Sequence, residues 1–144
     1  MSGVEATRLD EIIASHRHRE GPLLPILNDV QAEFGCIDEA ARRHIAEALN
    51  LSRADVQGVV SFYHDYTLEK AAHPVLKLCR AEACKARGVE TLVPAAQAAA
   101  QGRVEIETVY CLGLCSVGPN AMVGKDVHAR LDAGKLAALI EEIA

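Results

Sequence analysis

Four of the five cysteines stand in two short stretches, Cys79-Arg80-Ala81-Glu82-Ala83-Cys84 and Cys111-Leu112-Gly113-Leu114-Cys115. Thiolates in this arrangement admit three chemistries: a binuclear [2Fe–2S] cluster, a structural zinc site, or a redox-active dithiol. A dithiol of the thioredoxin kind needs C-x-x-C at a helix start, where the dipole lowers one thiol pKa and the neighbour resolves the mixed disulfide. That motif is absent here. Structural zinc prefers tight C-x2-C knuckles, whereas four residues lie inside the first pair and three inside the second. Zinc is therefore disfavoured and stays as an alternative. A binuclear cluster takes four thiolates, two per iron, and longer spacers suit a rhomb larger than a single ion. Gly113 and Gly118 support the cluster, because backbone without a Cβ can come close to sulfur and supply N–H donors.

The elements that must position these loops are legible around them. Val75-Leu76-Lys77-Leu78 is a short apolar run ending at Cys79 and reads as a buried strand. The alanine-rich stretch from Lys85 to Gln101 reads as a helix, with Gly88 weakening its start and Pro94 kinking it or marking its first turn. Val104, Ile106 and Val109 alternate with Glu105, Glu107 and Thr108, which predicts a second strand running to Tyr110-Cys111. Strand, helix and strand form a βαβ unit whose right-handed crossover puts both strand ends, and so both cysteine loops, on one edge of the sheet. After the turn-rich Ser116-Val117-Gly118-Pro119-Asn120, the segments Ala121–Val123 and Val127–Leu131 form a hairpin around Gly124-Lys125-Asp126. Asp132 caps a last helix bearing Leu136, Leu139, Ile140 and Ile143. The order βαβ then ββα predicts an α/β, thioredoxin-like domain with a mixed four-stranded sheet over residues 73–144. Pro119 occupies the place where such folds commonly hold a cis proline.

Residues 1–72 read as an all-helical unit that precedes it. Leu9, Ile12 and Ile13 share a helical face, with Thr7 as its cap and Gly21-Pro22 as its end. Leu23, Leu24, Ile26, Leu27, Val30 and Phe34 form a second helix terminated by Gly35. Asp38 caps a third with Ala41, Ile45, Ala48 and Leu49, closed by Asn50. Ser52-Arg53-Ala54-Asp55 resembles a capping box and opens a fourth, with Val56, Val59, Val60 and Phe62. Phe62-Tyr63-His64-Asp65-Tyr66 is expected as an aromatic core plug between the two halves, with a partner anchor as the alternative. Cys36 is expected as a small buried hydrophobe, and His16, His18, His44 and His64 as surface or capping residues whose spacing does not suit a metal.

Composition sets outer limits. Of 144 residues, 50% are apolar and 24% charged, enough for a packed core that buries roughly 70% of the unfolded surface. A net charge of −5 and five aromatic residues argue against nucleic acid, which demands a basic footprint and stacking platforms. No apolar run approaches the about 20 residues of a transmembrane helix, and the amino terminus lacks the pattern of a signal peptide. A cytoplasmic location is expected, where clustered cysteines bind metal or do redox work more often than they form disulfides.

The runs Leu78–Cys84 and Cys111–Pro119, together with Val59-Val60-Ser61-Phe62-Tyr63, resemble the thioredoxin-like [2Fe–2S] ferredoxin subunits. These include the 24-kilodalton-type subunit of NADH:quinone oxidoreductases, the diaphorase subunit of NAD-reducing hydrogenases and the gamma subunit of NAD-dependent molybdenum formate dehydrogenases. The resemblance implies that Cys79 and Cys84 hold one iron and Cys111 and Cys115 the other, while Cys36 matches no ligand position. It implies a non-catalytic electron carrier with no catalytic residues of its own, docked through its helical half to a flavoprotein that holds FMN and binds NAD. Arg80-Ala81-Glu82-Ala83, the compact length and Gly21-Pro22-Leu23-Leu24-Pro25-Ile26-Leu27 are most similar to the formate dehydrogenase subunit, which implies a molybdenum catalytic partner. A free ferredoxin-like shuttle and a zinc-stabilised adaptor are the alternatives of another class. Lys77, Arg80, Lys85 and Arg87 flank the first loop, either as a charge that raises the cluster potential or as a solvated basic rim.

Overall fold

Three of the four amino-terminal helices begin at a polar side-chain cap, and the second begins after Pro22, in the computed structural model, which describes residues 2–144. The chain divides into two compact units, Met1–Ala71 and Ala72–Ala144. In the first, α1 (Gly3–His16), α2 (Leu23–Phe34), α3 (Glu39–Leu49) and α4 (Arg53–Phe62) surround a core of Leu9, Ile12, Ile13, Ile26, Leu27, Val30, Ile37, Ile45, Val56 and Val60. Asp38 caps α3 by accepting from the Ala41 N–H at 2.7 Å, and Asn50 closes it in the left-handed conformation. Ser52 and Asp55 form a reciprocal capping box at α4. Gly35 ends α2 at φ 76°, a conformation that costs glycine nothing.

One expectation for this unit is corrected. Thr7 is not a cap: it lies inside α1, and its hydroxyl donates to the Gly3 carbonyl at 3.0 Å. The cap is Ser2, paired reciprocally with Glu5, so the helix begins well before Leu9, the first residue of its buried face, because a polar capping box can start a helix that the apolar period does not reveal. Phe62 is 75% exposed and Tyr63 42%, so neither belongs to the core of the helical unit. The ring of Phe62 meets Tyr63 edge-on at 5.1 Å, and Tyr66 packs partly against the core while its hydroxyl donates to Asn28 Oδ1 at 2.6 Å. His16 and His44 pair through Nε2 with Asp29 and Asp10, each at 2.5 Å, tying α1 to α2 and to α3.

Replacing Asp38 by alanine removes one accepted N–H bond at the first turn of α3 and is expected to lower stability by about 1 kcal/mol. A urea titration of the full chain checks this: the midpoint for loss of helical circular dichroism should fall, with no change at the cysteines of the second unit.

The second unit begins with β1 (Val75–Cys79), followed by α5 (Glu82–Ala86), α6 (Val89–Ala100), β2 (Glu105–Val109), β3 (Ala121–Val123), β4 (Asp126–His128) and α7 (Ala133–Ile143). The sheet order is β2-β1-β3-β4, with β1 and β2 parallel and the other two pairs antiparallel. This is the mixed four-stranded, thioredoxin-like α/β sheet expected from the sequence. Leu76 and Leu78 on β1, Val89, Leu92 and Ala96 on α6, and Leu136 and Ile140 on α7 build its core. Asp132 caps α7 by accepting from the Lys135 N–H at 2.8 Å. The Lys85–Gln101 helix expected from the alanine run is broken: Gly88, at φ 90°, separates α5 from α6, and Pro94 falls inside α6. The hairpin is also shorter, since Asp126 belongs to β4 while Ala129–Leu131 lie beyond it. No helix is long and apolar enough to cross a membrane among the described residues.

A candidate iron–sulfur centre at one sheet edge

The parallel register decides where the cysteines meet. Cys79 pairs with Val109 at the ends of β1 and β2, so the loops that leave those strands emerge side by side. Cys111, in the second loop, takes φ 76°, a left-handed conformation that a non-glycine residue adopts at a cost of about 1 kcal/mol or more. That conformation lets the Cys111 N–H donate to Cys79 Sγ at 3.2 Å. Gly113, at φ 80°, donates its N–H to Cys111 Sγ at 3.4 Å, and the thiols of Cys111 and Cys115 stand 3.5 Å apart.

The two pairs differ in environment. Cys79 and Cys84 are each 1% exposed, and Cys111 and Cys115 are exposed. Burial pushes the Cys79 thiol up, but N–H groups of Ala81, Cys111 and Leu112 and the neighbouring Cys84 outweigh it and hold Cys79 below the ordinary thiol range. Burial and the adjacent Cys79 push Cys84 the other way, above that range. Cys115 is raised by its hydrogen bond to Cys111 and by that thiol's charge. A site that gathers N–H donors on one sulfur is built to hold negative charge there, which is the property a thiolate ligand needs.

Two further residues close the site. A 3₁₀ turn, Cys115–Val117, leads into Gly118, and the Gly118–Pro119 peptide is cis, as expected for this position. A Cβ added at Gly118 would lie 3.0 Å from Cys84 Sγ and 3.3 Å from Arg87 Cδ, so the backbone here approaches the sulfur as closely as only glycine allows. Asn120 accepts the Cys79 N–H on its carbonyl at 3.0 Å, and its side-chain Nδ2 reaches Leu114 O at 2.9 Å and Cys84 Sγ at 3.7 Å. The sequence places Asn120 only in a turn; its signal is a lone amide between a proline and an apolar strand.

The donor set fits a binuclear cluster: four thiols, two from each of two loops, with backbone N–H groups on the sulfurs and glycine where the chain comes closest. Among the described residues no group of three or more His, Cys, Asp or Glu side chains is gathered as a site for a single ion, and the thiols stand as two pairs. Cys36 belongs to the helical unit, where it is half-buried rather than buried. It lines a hollow of about 250 Å³ with Leu9, Phe34 and Lys70, and burial, then Asp38, push its thiol up. Of the cations around the first loop, Arg80 is engaged by Glu90 at 2.6 and 3.0 Å and Lys85 by Glu82 at 3.8 Å, so the charge of both is compensated locally.

The chain is 28% identical to the NADP-reducing hydrogenase subunit HndA of Solidesulfovibrio fructosivorans, over 92% of this chain and 82% of that protein. It is 25% identical to a subunit of the NADH-quinone oxidoreductase of Escherichia coli, over 98% of this chain and 90% of the relative. The crystal structure of an NAD+-reducing [NiFe]-hydrogenase in the air-oxidised state superposes with a TM-score of 0.70 at 25% identity, covering 84% of this chain and 22% of the hydrogenase chain. Residues 9–144, which include most of the first unit, all of the second and all four paired cysteines, match the family described as thioredoxin-like [2Fe-2S] ferredoxin, and the chain belongs to that family.

Proposed function

We propose that the chain is the electron-carrying subunit of an NAD-linked dehydrogenase complex, with a [2Fe–2S] cluster held by Cys79 and Cys84 on one iron and Cys111 and Cys115 on the other. The observation that carries this reading is the convergence of the two loops, with the Cys111 N–H on Cys79 Sγ at 3.2 Å. When bound, such a cluster supplies one-electron chemistry beside a flavin that exchanges hydride with nicotinamide. The chain's own contribution is positional. Cys79 and Cys84 sit where water is excluded, and N–H groups of Ala81, Cys111 and Leu112 offset negative charge on Cys79. Cys111 and Cys115 lie at the surface, which makes their side the face open to the FMN-bearing flavoprotein partner.

Within that class the parent complex is an NAD-dependent molybdenum formate dehydrogenase, with residues 1–72 as the docking unit for the partner. The support is the likeness of Arg80-Ala81-Glu82-Ala83, of Gly21–Leu27 and of the compact length to its gamma subunit. A second reading, the equivalent subunit of an NADH:quinone oxidoreductase or NAD-reducing hydrogenase, is favoured by the names of the similar proteins. A freely diffusing shuttle has no need of some seventy extra residues with their own core.

Anaerobic purification of the native complex separates these readings. Formate-dependent NAD+ reduction and stoichiometric molybdenum in the fraction that carries this chain are the expected result. Nickel with hydrogen-dependent activity, or quinone reduction without molybdenum, selects the second reading. A chain that elutes alone, coloured and EPR-active on reduction, is a shuttle, and a colourless, EPR-silent zinc protein ends the cluster assignment.

A further inference from the structure

Three arginines of the helical unit gather at one place without a carboxylate partner. Arg42 and Arg43 on α3 and Arg53 at the start of α4 line a hollow of about 360 Å³ with Glu39, Ala54 and Gln57. Arg42 donates through Nε to the Asp38 carbonyl at 3.2 Å and through Nη1 to Gln57 Oε1. Both acceptors are neutral, so these bonds fix the guanidinium in place and leave its charge uncompensated. Because Gln57 Oε1 is taken, its Nε2 remains as a further donor. Among the described residues Arg43 and Arg53 have no hydrogen-bond or ion-pair partner, and both are exposed. Asp38 and Asp55 are occupied by the caps of α3 and α4, which leaves Glu39 as the acid of the lining against three cations. Arg8, Arg80 and Arg103, by contrast, each meet a glutamate.

We infer that this α3–α4 hollow receives an acidic segment of the flavoprotein partner, whose carboxylates are taken by Arg42, Arg43 and Arg53. The inference rests on the reading that the chain docks to that partner through residues 1–72. Charge decides the class of occupant. With a net charge of −5 the chain repels a nucleic acid or an anionic membrane over any broad contact, whereas a short peptide segment meets the hollow alone. A free phosphate or dicarboxylate would find two exposed, well-hydrated guanidinium groups, where single ion pairs contribute little. A segment tethered to a docked subunit engages all three cations at high effective concentration, and guanidinium forks match carboxylates two bonds at a time. Such a contact governs encounter and orientation more than final affinity.

The native complex, purified anaerobically and then stripped of this chain by salt, supports the test, with the full chain added back at low and high sodium chloride. Rebinding of the wild type should slow steeply as salt rises. The Arg43→Glu/Arg53→Glu chain should rebind roughly tenfold more slowly at low salt and respond little to salt, with its helical circular dichroism unchanged. A second variant, Arg43→Lys/Arg53→Lys, keeps the charge and supplies amines for a zero-length carbodiimide, which joins an amine only to a carboxylate in contact with it. Mass spectrometry of the rebuilt complex should find a link from position 43 or 53 to an aspartate or glutamate of the flavoprotein. Wild-type rebinding by the folded glutamate variant, or no such link in a complex that retains the flavoprotein, overturns the inference and leaves the docking reading intact. Should the glutamate variant fail to fold, the lysine variant decides by the presence or absence of the link. Inorganic phosphate or citrate that binds the full chain at micromolar concentration, and no longer binds the glutamate variant, makes the hollow a small-anion site and overturns the inference as well. A native preparation in which no flavoprotein accompanies this chain overturns both.

Discussion

Replacing Cys84 by serine is expected to abolish the reduced-state EPR signal of the reconstituted chain, and replacing Cys111 to abolish or strongly perturb it, while Cys36→Ser leaves it unchanged. The reasoning is geometric and electrostatic. Cys84 is 1% exposed and lies against Gly118, so no water or neighbouring side chain has room to take its place as a ligand. Serine at that position offers a hydroxyl whose deprotonation is far harder than that of a thiol, in a site that already raises the pKa of the native group by burial. Cys111 is exposed, and serine oxygen with solvent nearby can substitute in part, which gives a shifted spectrum instead of none. Cys36 belongs to the helical unit, where it lines a hollow with Leu9, Phe34 and Lys70, outside the unit that carries both cysteine loops. The measurement is iron content and EPR of each variant after identical reconstitution. A wild-type signal from Cys84→Ser or Cys111→Ser, or its loss in Cys36→Ser, would overturn the ligand assignment.

What could be seen in the sequence was what local chemistry determines. Asp38, Ser52 with Asp55, Gly35, Asn50 and Asp132 cap or close helices through bonds to residues within a turn, and each was identifiable from type and spacing. The alternation around Ile106 gave β2, and the handedness rule then placed both cysteine loops on one edge. The errors fall where a local signal competed with another or where the deciding partner is distant in sequence. Thr7 and Ser2 are both plausible caps, and only the Glu5 reciprocal bond separates them. Gly88 is mild enough within an alanine-rich run to be read through, yet its left-handed backbone ends α5. Phe62 follows the apolar period of α4 but is its last residue and is exposed, which periodicity alone does not reveal.

The same division holds at the site. The thiol spacings were legible because ligand chemistry is written in residue type, and Gly118 because close approach to sulfur is written in the missing Cβ, whereas Gly113 serves its positive φ. The contacts of Asn120 were hidden, since they depend on Leu114 and Cys84, which only the folded chain brings to it. Arg80 looks like a free cation beside the first loop until the fold sets Glu90, ten residues on, opposite it. Long-range polar pairing of this kind leaves no periodic trace.

Gly118→Ala should be the most damaging single-methyl change in the second unit. Gly118 has φ −66° and ψ 166°, an ordinary extended conformation that alanine adopts freely, so its requirement is steric and owes nothing to backbone strain. The added methyl would sit 3.0 Å from Cys84 Sγ, 3.3 Å from Arg87 Cδ and 3.6 Å from Cys84 Cα. Arg87 is long and can bend away. Cys84 cannot, because it is held within α5, packed into the core and fully covered. Relief therefore comes by displacing the 3₁₀ turn that begins at Cys115 or by rotating the Cys84 sulfur, and either moves a proposed ligand. Overpacking of this sort costs about 1–3 kcal/mol. Gly113→Ala is the matched control: nothing lies within 4 Å of its added methyl, but its φ of 80° is strained for alanine, at a cost of about 1 kcal/mol. Its backbone N–H to Cys111 Sγ is retained. Gly118→Ala should thus lower both the denaturation midpoint and the iron retained per chain, whereas Gly113→Ala should lower the midpoint modestly and keep the cluster. Equal iron content and equal EPR spectra in the two variants would mean that the approach of Gly118 to Cys84 is not what shapes the centre.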